Sequence, residues 1–311
     1  MLEVQLAAQQ HNRQPDNPRM PLVSVIILTL NEELNLPVCL DSLLGLDAQV
    51  VVVDSGSTDR TGEIAERFGA EVIRHPFENQ ARQINWVLDN VRLSAPWIMR
   101  LDADERLTPE LREELKSALP GAPNTVAGFL IKRRVYFWGR WIRHGGYYPT
   151  WLLRIWRAGQ GRAEDVWMDE HVEIAGGESR RLVNDIIDEN RKGLAFWIEK
   201  HNGFSDREVK DIVAGGSVTN AGLTGVQAAR RRFLKRNLYG RAPRFLRAFL
   251  YWMLRYFILL GFLDGKAGFV FHFLQGLWYR VVVDAKLYEL EQASMRVRAA
   301  KESNEELRVR S

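Results

Sequence analysis

A chain of 311 residues is long enough for one α/β core of about 200 residues plus an appended unit. Hydrophobic residues at 46% and charged residues at 26% exclude a mostly disordered chain. The single cysteine, Cys39, excludes an internal disulfide and a Cys/His zinc cluster and fits a reducing compartment. Net charge is a modest +4, but Arg230, Arg231, Arg232, Lys235, Arg236, Arg241, Arg244 and Arg247 crowd one stretch before an aromatic-aliphatic run. That pattern favours an anionic membrane surface over nucleic acid as the partner.

Residues 1–19 are polar with no apolar run, which predicts a flexible leader rather than a signal peptide or anchor. The run VSVIILT over 23–29 predicts a buried parallel strand, and apolar residues at helical spacing predict a helix over 32–44, with Gly45 at its C-cap. QVVVV over 49–53 repeats the strand signature, followed by the loop Asp54-Ser55-Gly56-Ser57-Thr58-Asp59 and a helix over 61–68. A strand over 71–73, a helix over 79–90 and a strand over 97–101 continue the alternation, which implies a parallel sheet wound in one sense. Thr108-Pro109 opens a further helix, with a cap residue and proline at N1.

Between 129 and 174 the pattern changes to short strands and glycine-rich turns, which predicts an antiparallel extension. A helix is predicted over 196–213. The segments 245–262 and 268–290 approach the length of a bilayer crossing, but Arg247, Arg255 and Arg280 would be costly at its centre. Interfacial or re-entrant placement is therefore expected, against the alternative of an ordinary helical pair packed on the core. From 289 to 311 the chain is highly charged and reads as a solvated helix or tail. The expected organisation is a leader over 1–20, a catalytic domain over 21–215, a basic and aromatic membrane-associating region over 216–290 and a charged tail over 291–311.

In open sheets of this kind ligands bind beyond the carboxyl ends of the strands, where Asn31, Asp54 and Asp102 are expected. Asp102-x-Asp104 stands out because two carboxylates just past a buried strand can hold Mg2+ or Mn2+ beside a diphosphate. Such an ion would neutralise charge on a departing nucleotide. An isolated acidic pair is common in surface loops, and its position after a strand raises its weight. Asp54 with Ser55, Gly56 and Ser57 makes a loop that permits close backbone approach and offers a carboxylate to a base or ribose. Thr29, Asn31 and Glu33 form a comparable rim, and helix capping is the alternative role for this loop.

TLNEE, VVVDSGSTD and LDADE, in this order at successive strand ends, resemble the nucleotide-sugar half of the family 2 glycosyltransferases, over residues 22–105. The resemblance implies a Rossmann-like GT-A fold, with a mixed central sheet and a C-terminal helical extension. It also implies a UDP-sugar donor and a divalent metal. By it Asp104 reaches the metal, Asp102 lies near the ribose, and Thr29, Asn31, Glu33, Asp54 and Ser55 border the donor. Family members often carry Asp-Asp at the second loop, where this chain has Asp54-Ser55. Gln80 to Asn85 match the helix bordering the donor pocket, with Arg82 facing the base or diphosphate or, alternatively, solvent.

Inverting transfer needs a base for the acceptor hydroxyl. Trp167-Met168-Asp169-Glu170-His171 resembles the family's Glu-Asp acceptor motif with the acids reversed, which makes Glu170 the expected base and Asp169 the alternative. His171 is either a second metal ligand or a loop residue. The segment 188–193 and the helix residues Trp197, Lys200 and His201 resemble the membrane-associated subgroup that builds bacterial surface polysaccharides and lipopolysaccharide cores.

The leading expectation is hexosyl transfer from a nucleoside-diphosphate sugar to a glycan or lipid-linked acceptor at the cytoplasmic face of the inner membrane. A non-catalytic membrane-bound partner retaining the fold is the alternative from another class. Nucleotidyl transfer to a sugar phosphate is disfavoured, because the first strand is followed by Asn31-Glu32-Glu33 and not by a glycine-rich triphosphate loop.

Overall fold

The computed structural model describes residues 20–165, 172–214 and 243–309, with side-chain environments given as far as 297. The expected leader, the bulk of the basic stretch, and Asp169, Glu170 and His171 lie outside the described residues.

Four strands, β1 (Val23–Thr29), β2 (Ala48–Asp54), β3 (Glu71–Arg74) and β4 (Trp97–Arg100), form a parallel block in the order β3-β2-β1-β4. The β-branched and aliphatic runs of β1, β2 and β4 are buried on both faces, as the central strands of a parallel sheet require: Val25, Ile26, Ile27, Val52 and Met99 have no exposed surface. Helices α1 (Leu36–Asp41), α2 (Thr61–Phe68) and α3 (Gln80–Asn90) fall between these strands. Asn79 caps α3 by accepting from the Arg82 backbone N–H at 2.7 Å.

Helix α1 is shorter than the periodicity over 32–44 predicts. Residues 32–35 form a turn, with the Asn35 and Leu36 N–H groups donating to the Glu32 carbonyl, and Pro37 lies at the start of the helix. Gly45, at φ +80°, comes after the turns that follow α1 and not at its C-cap.

Beyond β4 the sheet becomes mixed. Three-residue β5 (Glu105–Leu107) is followed by α4 (Pro109–Ala118), capped by Thr108. Then come β6 (Val126–Phe137), β7 (Arg140–Trp141), β8 (Thr150–Arg157), β9 (Gly161–Ala163), β10 (Val172–Ile174) and β11 (Glu178–Asp188). β8 runs antiparallel to both β4 and β6, as the short strands and glycine-rich turns predict. β11, in contrast, pairs parallel to β6 with two register shifts, and β9 pairs only with β10. The order β3-β2-β1-β4-β8-β6-β11-β5 therefore joins a Rossmann-like half to an antiparallel-rich half.

Helix α5 (Gly193–Val213) leads towards the C-terminal helices. These are α6 (Leu246–Met253) with a π-helical turn over Leu254–Ile258, a 3-10 turn over Gly261–Asp264, α7 (Gly265–His272) with a second π turn over Phe273–Trp278, and α8 (Tyr279–Val309). Helix α8 continues unbroken past residue 290, so the charged segment as far as Val309 is helical, one of its two expected forms.

The C-terminal helices pack on the sheet domain through Phe137, Ile142, Ala267, Phe271 and Leu274. Asp264 accepts the His144 backbone N–H at 2.9 Å and lies 2.7 Å from His144 Nδ1. The fully buried His272 ring fills the space beside Gly145 and Gly261, where a Cβ on either glycine would collide with the imidazole. No single described helix is long and apolar enough to cross a membrane, but the pair Leu246–Ile258 and Gly261–Val297, bent by 69°, meets that test together.

Candidate functional site

The carboxyl ends of β1 and β2 are tied into one polar rim. Asp54 accepts from the Gly56 and Ser57 N–H groups, from the Ser57 hydroxyl and from Thr29 Oγ1 at 3.3 Å. Asn31, in the left-handed region at φ +55°, accepts from the Thr58 N–H at 2.8 Å and donates its own N–H to Ser57 Oγ. Glu33 accepts from the Arg60 N–H and donates to Asp59. Ser55 accepts from Gln83 Nε2 at 2.9 Å. Thr29, Asn31, Glu33, Asp54 and Ser55 are thus brought together at the strand ends, with the Asp54 carboxylate positioned by Thr29, Gly56 and Ser57. Arg82 is exposed and paired with Glu78 at 2.7 Å and Asp165 at 3.2 Å.

Beside this rim opens a cleft of about 860 Å³, walled by the sheet on one side and by α5 and the C-terminal helices on the other. Asp102 and Asp104 both line it, along with Glu32, Arg133, Asp188 and Lys200, whereas the rim residues and Arg82 do not. Val172, Glu173 and Ile174 also line it.

The two aspartates are held differently. Asp102 is clamped by Arg100 at 3.1 Å and Arg154 at 2.9 Å. Burial opposes its ionisation, but the two guanidiniums outweigh burial and hold its carboxyl well below the usual range. Arg154 also bonds the buried Glu105 at 2.5 Å. Burial and the charge of Asp102 push Glu105 up to about 7 against the pull of Arg154. Asp104 has lighter company, Asn190 Nδ2 at 3.0 Å and Lys200 Nζ at 3.4 Å. Burial works against its charge too, and the Lys200 ammonium prevails, so its carboxyl is lowered.

Asp188, at the end of β11, pairs with Arg133 at 3.4 Å. Burial, together with the nearby charge of Asp104, raises it to about 6. Glu32 accepts from Lys192 at 2.6 Å, which ties the first loop to the segment ahead of α5. Helix α5 lays one face along the cleft with Trp197, Lys200, His201, Phe204 and Arg207, the i, i+3, i+4 spacing of a single helical face.

The candidate residues read from sequence did not include Arg100, Arg154 or Arg133. The available signal was an arginine inside an otherwise apolar strand, as in WIMR and LLRIW. A charge buried there needs a partner, and the acidic pair supplies it. Among the described residues no three His, Cys, Asp or Glu side chains form a group that could hold a metal ion unaided. The oxygen donors present fit a hard cation bound by one or two carboxylates and completed by water and substrate phosphates. Both arginines engage Asp102, so Asp104, with Asp188 nearby, is the carboxylate that would hold such an ion.

Residues 24–165 match the family model described as glycosyl transferase family 2. The lipopolysaccharide core biosynthesis glycosyltransferase LpsC of Rhizobium meliloti (strain 1021) is 36% identical over 155 residues, 47% of this chain and 54% of that protein. An uncharacterized glycosyltransferase of Rickettsia felis is 36% identical over 97 residues, 31% of this chain and 34% of that protein. The chain thus spans about half the length of LpsC and a third of the rickettsial relative. Among solved structures, glucosyl-3-phosphoglycerate synthase from Mycobacterium tuberculosis overlaps 37% of this chain and 44% of its own, at 23% identity and a TM-score of 0.30, too slight a likeness to bear on the chemistry. The segment 24–165, which carries the strand-end loops and the acidic pair, is thus similar to glycosyl transferase family 2.

Proposed function

We propose that the protein transfers a hexosyl unit, with inversion, from a nucleoside-diphosphate sugar to a glycan or lipid-linked acceptor in lipopolysaccharide or related surface-polysaccharide synthesis. The observation that carries this reading is the acidic pair past β4, lining a cleft with Asp104 ionised and lightly held. Similarity of about half the chain to LpsC supports the acceptor class.

In this reading the rim of Thr29, Asn31, Glu33, Asp54 and Ser55, with Arg82, receives the base and ribose. Asp102, fixed by its two arginines, borders the ribose. Asp104 would hold a divalent cation, Mg2+ or Mn2+, which would neutralise charge on the departing diphosphate. Lys200 leaves Asp104 for the same diphosphate oxygens. Glu170, with Asp169 the alternative, takes the proton from the acceptor hydroxyl. The cleft wall of α5 and the C-terminal helices excludes water from the donor.

The same reading sets the protein at the cytoplasmic face of the inner membrane, lying on the surface or re-entrant. Supporting it are Leu246, Phe249, Leu250, Leu254, Phe257 and Ile258, which expose apolar side chains along α6 and its π turn, and the basic stretch just before them in sequence. Apolar patches of this kind mark interaction surfaces, and basic residues beside them suit anionic headgroups.

The test is a screen of nucleotide sugars for metal-dependent donor hydrolysis by the full chain. Turnover that needs Mn2+ or Mg2+ and falls about a thousandfold in Asp104→Ala is expected, since a Lewis-acid contact contributes several kcal/mol to the transition state. Undiminished turnover by that variant in excess EDTA overturns the reading.

A further inference from the structure

The cleft continues past the acidic pair, and its far end carries a cation that no carboxylate among the described residues neutralises. Arg100 and Arg154 are paired with Asp102, Arg133 with Asp188, Lys200 with Asp104, and Arg280 with Glu208 at 2.7 Å. Arg207, half-buried on the cleft face of α5, is the one cationic side chain of the lining with no carboxylate partner among the described residues. Its neighbours are rings: the guanidinium carbon lies 5.5 Å from the centre of Phe204 and 5.7 Å from that of Phe77, in the loop between β3 and α3.

Aromatic faces steady a guanidinium without cancelling its charge, and its N–H edges stay free for bidentate contact with a planar or tetrahedral anion. Seven residues separate Arg207 from Lys200, so the two cations lie roughly 10 Å apart along the helix axis. One is at the acidic pair, where a donor diphosphate would lie. The other is about two helical turns further on, beyond the reach of that diphosphate.

We propose that this end of the cleft is an anion subsite in which Arg207 receives a phosphate or carboxylate carried by the acceptor, so that the protein selects an acidic acceptor over a neutral one. This rests on the reading of the cleft as a glycosyl-transfer site. A purely structural role, bridging α5 to the loop that carries Phe77, would give Arg207 no preference among soluble ligands.

The experiment measures binding of glucose 6-phosphate and of glucose to the full chain by calorimetry, with UDP and Mn2+ saturating. The phosphate ester is expected to bind about tenfold tighter than glucose, the worth of one charge-assisted contact. Arg207→Gln should bring it down to the level of glucose while UDP affinity is unchanged, and Arg207→Lys should keep part of the preference. The lysine variant also covers the case in which the glutamine variant fails to fold. Three results overturn the subsite: no preference for the phosphate ester in the unaltered protein, loss of that preference when UDP and Mn2+ are added, or full preference in Arg207→Gln. A chain that ignores UDP and Mn2+ yet shows the Arg207-dependent preference keeps the subsite and sinks the donor reading instead.

Discussion

The strand ends of the sheet and the outer face of the C-terminal helices solve the problem of exposure in opposite ways. At the strand ends nearly every polar group has a partner within the protein: Asp54 is positioned by its own loop, Asn31 is locked to Ser57 and Thr58, and Asp102 is clamped by two arginines. On α6 and its π turn, side chains as large as Ile258, 71% exposed, face outward uncovered by any of the described residues. A surface complete in itself can wait for a small ligand, whereas an apolar surface of this extent calls for a permanent neighbour.

The contrast breaks most readily at Arg154, the centre of the buried charge network. Arg154→Met should cost about 3 kcal/mol in urea unfolding at pH 8, because it strands Glu105 and half of Asp102 without their partner. The loss should shrink at pH 5, where Glu105 takes up a proton and no longer needs the guanidinium. A loss equal at both pH values would mean that packing, not charge, holds this end together.

Phe257→Ser combined with Ile258→Ser probes the other surface. Removing two half-exposed apolar groups should weaken sedimentation with vesicles rich in phosphatidylglycerol about tenfold or more, at roughly 1 kcal/mol each, and leave thermal unfolding nearly unmoved. Unchanged sedimentation would remove the membrane as the neighbour.

The smallest effect expected is at His201, where the two regions meet. Its ring is stacked on Trp197 at 3.5 Å, and burial lowers it to about 4. A folded-state value below the ordinary 6.5 means that the unfolded chain takes up the proton first as the pH falls. The stability this neutral ring contributes is therefore present above pH 6.5 and is lost between 6.5 and 4. Denaturant melts of His201→Phe across that window should have a flatter pH slope than those of the unaltered protein, and parallel slopes would exclude the effect.

Much of the donor half was legible because its signals are local. Each of β1, β2 and β4 is an apolar run closed by a polar loop, Asn79 and Thr108 announce their helices, and the acidic pair follows its strand directly. The rest depends on distant partners. Arg154 meets Asp102 across 52 residues, through the antiparallel pairing of β8 with β4. No local pattern specifies which strand β8 will join. The parallel run of β11 beside β6 was equally hidden, since alternation reports burial and not direction. Helix α1 was overextended because the apolar spacing continues through residues whose backbone is committed to the turn at Glu32.

The imidazole of His272 is wedged against two glycines that could not carry a side chain there, one on the sheet side and one between the apolar helices. With those helices seated on a bilayer, the mouth of the cleft would stand at one constant height above the lipid. On the function proposed above, the protein would then act as a gauge, glycosylating only hydroxyls presented at that height, and an acceptor grown by a sugar or two would rise out of reach without any change in the cleft itself.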